Sequence, residues 1–252
     1  MSADLPDIGH VAISHVDGLK IRLARGGRSD GVPILLTSPW PESIYAFRGV
    51  LPEIEALGPL IAIDLPGFGR SEGRPDLMAP EAMGDFVIKL AQSLGIDRIH
   101  AVGPDVGTLA LLFAAVRSPE LFESLVVGSG ATSPELAADG LKDIIEAPPG
   151  AFDNLEGGDV AMQFVTQSAA VPMPDAVLED YRLSSAGRRF AEAAEFVRAS
   201  AASALLAAIT ASARVGSRAK SAAAIPMTIR LPYKDWLWLV REDDGSGTPI
   251  RQ

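Results

Sequence analysis

The sequence contains no cysteine and few histidines, and both shortages limit its chemistry. Without thiols the chain can form neither a disulfide framework nor a cysteine-ligated zinc or iron–sulfur centre, and it has no thiol nucleophile. Only 3 histidines occur in 252 residues, namely His10, His15 and His100. The sequence implies no metal site and no cofactor.

Basic residues are outnumbered by acidic ones, 22 to 32, which gives a net charge of −10. Such a chain lacks the electrostatic footprint of a nucleic-acid-binding protein. Its longest apolar runs fall well short of the roughly 20 residues that span a membrane, and the first residues show no secretory signal. We therefore expect a soluble, cytoplasmic protein with neither nucleic-acid nor membrane partners.

The first 130 residues alternate short apolar runs with helical patterns. Asp17-Gly18 between two such runs predicts a β-hairpin. The predicted strands are residues 11–16, 19–23, 32–36, 60–63, 99–102 and 125–127. The predicted helices are residues 43–57, 80–94 and 106–117. This alternation predicts an α/β fold with a mostly parallel sheet covered on both faces.

From about residue 131 the strand patterns give way to helical ones. Helices are predicted over residues 134–145, 159–168, 175–181 and 185–209, with one late strand at 236–240. We accordingly divide the chain into the first part of an α/β core (1–130), a helical cap (131–225) and an incomplete remainder of the core (226–252).

The most informative motif is Gly103-x-Asp105-x-Gly107, between a predicted buried strand and a predicted buried helix. A turn this tight forces its central residue into a strained backbone conformation, and flanking glycines remove side chains that would collide. The carboxylate of Asp105 would then stand above the sheet, beside the N–H of Val106. A carboxylate placed there can attack a saturated carbon and form an ester. The less specific alternative is an ordinary helix N-cap.

Two further segments have the order and spacing that such a site needs. Asp64-Leu-Pro-Gly-Phe-Gly-Arg-Ser71 follows one strand, and Ser38-Pro39-Trp40-Pro41 follows another. With the Asp105 turn, they make this sequence resemble the α/β-hydrolase family, in its aspartate-nucleophile branch of epoxide hydrolases and haloalkane dehalogenases. The resemblance implies an α/β-hydrolase sheet with an inserted helical cap, a small apolar substrate, Asp105 as nucleophile, and the backbone N–H groups of Trp40 and Val106 as oxyanion donors. In the family's H-G-x-P loop, represented here by Ser38-Pro39-Trp40-Pro41, both the histidine and the glycine are replaced.

The resemblance also suggests an acid and a cap tyrosine. Asp244, in a G-x-x-D-like context, stands where the family carries its acid, and Tyr181 lies in the presumed cap, where epoxide hydrolases use tyrosines to protonate the epoxide oxygen. Structural alternatives stay open: Asp244 as a turn residue, Tyr181 and Trp40 as packing residues. Val106 stands where haloalkane dehalogenases usually carry tryptophan, which leaves the epoxide-hydrolase-like interpretation ahead.

No histidine follows residue 100, so none occupies the position of the family's catalytic histidine. The first step, ester formation, could survive this, whereas hydrolysis of the ester should be slowed about 10²–10⁴-fold. We expect either an impaired hydrolase or a non-catalytic, degenerate or truncated product of the same fold that binds a ligand. An esterase is disfavoured because it needs serine at position 105. An incomplete sheet edge beside Trp236 and Trp238 would favour a homodimer.

Overall fold

The computed structural model describes residues 5–130, 139–169, 171–201 and 227–230, and within these ranges it forms one seven-stranded sheet with helices. The strands are β1 (His10–Val16), β2 (Leu19–Gly27), β3 (Ile34–Thr37), β4 (Pro59–Ile63), β5 (Ile99–Pro104), β6 (Phe122–Gly128) and β7 (Met227–Arg230). The α-helices are α1 (Leu51–Glu55), α2 (Pro80–Ser93), α3 (Val106–Arg117), α4 (Asp139–Glu146), α5 (Gly157–Ser168), α6 (Asp175–Ser185) and α7 (Arg189–Ala201).

The strands lie in the order β1-β2-β4-β3-β5-β6-β7. The pairings β1–β2 and β2–β4 are antiparallel, and the other four are parallel. The predicted α/β class with a mostly parallel sheet is therefore confirmed. The predicted hairpin is confirmed too, since Asp17 and Gly18 both have positive φ and Val16 pairs with Leu19.

Alternate residues of the central strands supply the two faces of the core. Leu35, Ile61 and Ile63 pack in one cluster with buried residues of α2 and α3. Leu36 and Ala62 pack in a second cluster with the segment before α1 and with residues of α5 and α6. Because side chains alternate along a strand, both faces of the sheet are covered, which explains why these strands read as continuous apolar runs.

Helices α4 to α7 lie between β6 and β7, where the sequence predicts an inserted cap. Ring contacts join α7 to the loops at the carboxyl end of the sheet. The ring centroids of Phe190 and Trp40 are 5.2 Å apart, and those of Phe196 and Phe68 are 5.3 Å apart. These aromatic pairs seat the cap above the strand ends.

The structure differs from two of the predicted elements and contains one strand that the sequence does not predict. The predicted helix 43–57 is wrong: a 3₁₀ turn (Ile44–Phe47) and the short α1 replace it, because Pro52 has no N–H to continue an α-helix through residue 48. The predicted boundary at 185 is also wrong, since Ser185 closes α6 and Gly187, at φ 61°, separates it from α7. Strand β7 was not predicted. The predicted strand 236–240, Asp244, and the parts of the predicted helices at 134–138 and 202–209 lie outside the described residues.

Candidate active site

Asp105 occupies the turn between β5 and α3 with φ 52° and ψ −121°, a left-handed backbone that is rare for residues other than glycine. The predicted strain at this position is thus present. Its N–H donates to the carbonyl of Gly128 at the end of β6, and its carbonyl accepts from Thr108. The neighbouring strand and the first turn of α3 therefore hold the strained conformation in place.

The two glycines of the motif allow the close packing of this turn. A Cβ on Gly107 would collide with the Thr37 hydroxyl at the end of β3, and one on Gly103 would collide with Leu111 of α3. Each glycine thus lets a helix or strand approach the turn closely. This geometry confirms the prediction that the flanking glycines remove side chains that would collide.

The loop after β3 brings a second backbone donor to the same carboxylate. Trp40 N–H donates to Asp105 Oδ2 at 2.8 Å, and the Val106 N–H also favours the ionised carboxylate. The Asp105 side chain makes no N-cap hydrogen bond, which would go to the N–H of the second or third residue of α3, so the N-cap alternative does not account for its position. The structure thus brings together three of the residues singled out from the sequence: Asp105, Trp40 and Val106.

The pKa of the Asp105 carboxyl is raised from 3.8 to about 6. The largest cause is the loss of solvation on burial, which disfavours the charged form. The hydrogen bonds from Trp40 and Val106 lower the pKa, and the negative charge of Glu42 raises it by the smallest amount. At neutral pH the carboxylate is mostly ionised and poorly solvated, which suits a nucleophile.

A small, mainly apolar cavity opens beside Asp105. Among the described residues it encloses about 40 Å³. Its walls come from the loop after β3, from α3 and from cap helices α4 and α7, and consist of Trp40, Asp105, Val106, Leu109, Leu141, Ile145, Phe196, Val197, Ser200 and Ala201. The Ser200 hydroxyl donates to the Phe196 carbonyl. Among the described residues that line the cavity, Asp105 is therefore the one charged group, and it faces an apolar surface.

Tyr181, the tyrosine predicted from the cap, is fully buried on α6 and is absent from the walls of this cavity. Its hydroxyl lies 3.4 Å from Arg48 Nη1 and is hydrogen-bonded to Glu42. Burial raises the pKa of both Tyr181 and Glu42. In this arrangement Tyr181 adjoins the Asp105 site through Glu42, and its role as a proton donor stays a prediction.

The three histidines lie away from Asp105. His10 and His15 are on β1, which three strands separate from β5. His100 precedes Asp105 by five residues of extended strand, a distance of about 16 Å along the chain. Its Nδ1 lies 2.7 Å from Ser124 Oγ. None of them can reach a water molecule at Asp105.

The described residues contain no group of acidic or histidine side chains able to hold a metal ion. They also include no helix that is long and apolar enough to cross a membrane.

A buried ionic network behind the Trp40 loop was missed by the sequence analysis. Arg22 of β2 binds both Asp64, after β4, and Asp180 of α6. Asp64 belongs to the Asp64–Ser71 motif, but Asp180 belongs to no motif that the sequence reveals. Arg22 alternates with Ile21 and Leu23 as a surface residue would, although the cap buries it.

A family model described as the alpha/beta hydrolase fold matches residues 32–159, about half of the chain. A soluble epoxide hydrolase from Corynebacterium sp. (strain C12) is 30% identical over 112 residues, which are 44% of this chain and 38% of that protein. RutD of Caulobacter sp. (strain K31), named as a carbamate hydrolase, is 31% identical over 121 residues, 48% of this chain and 45% of that protein. The chain thus matches less than half the length of these relatives.

Among solved structures, the haloalkane dehalogenase DbeA from Bradyrhizobium elkani USDA94 aligns with a TM-score of 0.68 at 22% identity, over 87% of this chain and 79% of that one. At this identity the likeness concerns the fold. The matched model covers the segment that carries Trp40, the Asp64–Ser71 loop and the Asp105 turn. The chain therefore belongs to the α/β-hydrolase family.

Proposed function

We propose that the chain is a hydrolase-type enzyme that uses Asp105 as a carbon-directed nucleophile and forms an ester with a small apolar electrophile, of which an epoxide is the best candidate. The observation that carries the proposal is the Trp40 N–H held 2.8 Å from Asp105 Oδ2. With Oδ2 fixed by this donor, Oδ1 is left to attack. The epoxide hydrolase among the relatives supports the substrate class.

In the first step, Asp105 Oδ1 attacks one carbon of the epoxide ring. The carbon–oxygen bond of the ring breaks, and the epoxide oxygen leaves as an alkoxide that takes a proton from water. The product is an ester between Asp105 and a hydroxyalkyl group. The mainly apolar walls of the cavity leave the carboxylate poorly solvated, which keeps it reactive and favours an apolar substrate.

In the second step, water adds to the Asp105 Cγ of the ester, and negative charge develops on the carbonyl oxygen. The backbone N–H of Trp40 lies 2.8 Å from this oxygen and can stabilise it, an effect worth about 10²–10³-fold for one donor in comparable sites. The Val106 N–H, which also favours negative charge on this carboxyl group, is the proposed second donor.

Collapse of this tetrahedral intermediate breaks the Cγ–Oδ1 bond, releases the diol with a proton that the water has lost, and restores the carboxylate. The water must also lose a proton. The histidines of this sequence do not reach the site, so we propose that the ester is hydrolysed slowly and accumulates.

The test is the intact mass of the protein after incubation with a panel of small apolar epoxides and, in parallel, alkyl halides. We expect a covalent adduct equal in mass to the whole epoxide, located at Asp105 by peptide mapping. Asp105→Asn is the matched control, because asparagine keeps the shape and the acceptor oxygen but is a far weaker nucleophile.

Each outcome of this experiment distinguishes between the candidate functions. An Asp105-dependent adduct establishes the nucleophile, and diol formation without an adduct means that another group replaces the histidine base. Folded protein that yields neither adduct nor product refutes the enzymatic proposal and favours a ligand-binding role for the same cavity.

A further inference from the structure

Behind the site, one arginine is shared by two buried carboxylates. Arg22 Nε lies 2.6 Å from Asp64 Oδ2, and its two terminal nitrogens lie 2.7 and 2.9 Å from the Asp180 carboxylate oxygens. All three residues are at least nine-tenths buried. Arg70 is the next cation, with Nη1 3.9 Å from Asp180 Oδ1. Asp64 comes from the core and Asp180 from cap helix α6, so Arg22 ties the two parts together.

Asp64 holds both ends of the loop that carries Trp40. Asp64 Oδ1 accepts from the Ser38 hydroxyl at 2.9 Å and from the Ile44 N–H at 2.9 Å. The loop between these residues is therefore closed over a single carboxylate oxygen. Its conformation, and with it the direction of the Trp40 N–H, depends on the position of Asp64.

Asp180 holds the same loop from the other side. The Ser43 hydroxyl donates to Asp180 Oδ2 at 2.6 Å, and Ser43 is fully buried. This is a hydrogen bond to a charged acceptor, the stronger kind. A carboxylate of the cap thus reaches across to the segment that carries the oxyanion donor.

We propose that Asp180 is a positioning residue for the Asp105 site: through Ser43 and Arg22 it fixes the Trp40 loop, so that seating of cap helix α6 on the core and placement of the Trp40 N–H at Asp105 occur together. The proposal rests on the proposed function for its kinetic consequence, but the placement itself is a property of the fold. Substrate would meet a completed oxyanion site only when the cap is seated.

A purely structural role would predict a different pattern. A buried ion network adds little stability compared with apolar packing of the same volume, while it fixes geometry by directional contacts. If the network only held the cap, loosening it would change stability without changing the environment of Asp105. The two roles therefore predict different effects on the pKa of Asp105.

The test compares two buried serines that both contact Asp180. Ser43→Ala removes the bond from the Trp40 loop to the Asp180 carboxylate. Ser184→Ala, the matched control, removes a bond of 2.8 Å from the Ser184 hydroxyl to the Asp180 backbone carbonyl and leaves the loop untouched. Ser184 is 5% exposed, so both variants lose one buried hydroxyl beside the same residue.

The readout is the titration of the Asp105 carboxyl carbon by ¹³C NMR, assigned with Asp105→Asn. In Ser43→Ala the Trp40 N–H is released, and the pKa of Asp105 should rise from about 6 toward about 7, since a hydrogen bond to a charged group contributes roughly that much. The loop also carries Glu42, whose charge raises this pKa, but its effect is smaller than that of Trp40, so the net change is upward.

In Ser184→Ala the pKa of Asp105 should equal that of the unaltered chain. Equal titration curves in both variants overturn the proposal. If Ser43→Ala fails to fold, Ser43→Cys, whose thiol is a weaker donor to the Asp180 carboxylate, carries the same expectation. Below pH 6, alkylation of Asp105 by an epoxide should slow by up to about tenfold in Ser43→Ala and not in Ser184→Ala, because a rise of about one unit in the Asp105 pKa leaves about one tenth as much ionised carboxylate. A shifted titration without any alkylation supports the positioning role and refutes the proposed function.

Discussion

Replacing Asp105 by asparagine is expected to stabilise the folded protein at pH 8 and to leave its stability nearly unchanged at pH 4. The reason is that the folded protein holds a poorly solvated carboxylate at this position, with a pKa of about 6 against 3.8 for an exposed aspartate. Above pH 6 folding must therefore bury a charge. Asparagine occupies the same space without that charge and can still accept from Trp40.

The size of the effect follows from the pKa difference. Between pH 3.8 and 6 the folded state binds more protons than the unfolded state, so the free energy of unfolding falls as pH rises through this window and levels off above it. The full difference corresponds to about 3 kcal/mol. Asp105 borders the cavity and keeps part of its surface there, so solvent reduces the cost, and we expect about 1–3 kcal/mol.

Urea unfolding of the unaltered chain and of Asp105→Asn at pH 4, 6 and 8 measures this difference. The two proteins should have similar midpoints at pH 4, and the variant should unfold at higher urea at pH 8, with equal slopes if unfolding is two-state. Glu179→Gln serves as a control, since Glu179 is an exposed carboxylate paired with Arg182. Its removal should not produce a gain that grows with pH.

Two results would refute the reasoning. A difference between Asp105→Asn and the unaltered chain that is the same at all three pH values would show that the charge of Asp105 is not the source. A variant less stable than the unaltered chain at pH 8 would show that the carboxylate is well solvated or paired, and hence that the site is not built to hold a reactive nucleophile.

Other outcomes follow from the same site. The rate of Asp105 alkylation should rise with pH and level off above about 6, because the ionised carboxylate is the nucleophile; a pH–rate profile by mass spectrometry checks this, and a flat profile contradicts it. Gly107→Ala should destabilise by about 1–3 kcal/mol, because its methyl group would meet the Thr37 hydroxyl; urea unfolding measures the loss. Asp180→Asn should lower the free energy of unfolding by about 3–5 kcal/mol, because it leaves the buried Arg22 without one of its carboxylates. The loss in Glu179→Gln, measured by the same urea unfolding, should be far smaller.

The turn that carries Asp105 could be predicted from the sequence because its causes are local. Two glycines, an apolar strand before them and an apolar helix after them lie within about 20 residues. Helix α3 begins and ends where it was predicted, at Val106 and Arg117. Steric rules that act over a few residues, such as those at Gly103 and Gly107, can be read directly from the chain.

The ionic network could not be predicted in the same way because its members are far apart in the chain. Arg22 and Asp180 are separated by 158 positions, and a lone arginine in a strand is usually a surface residue. Only the placement of α6 over β2 turns these two into a buried pair. Similarly, the sequence does not predict β7, because Met227–Arg230 alternates apolar with polar residues over only four positions, whereas β3, of the same length, lies in a continuous apolar run.

The loop after β3 shows how a departure from a family pattern can leave its geometry intact. Ser38 and Pro39 stand where the family has histidine and glycine, yet Trp40 N–H still reaches Asp105 Oδ2 at 2.8 Å. The Ser38 hydroxyl anchors the start of the loop on Asp64. A motif whose side chains differ from the family pattern can therefore keep its backbone donor, because the position of a backbone N–H depends on loop shape rather than on side-chain identity.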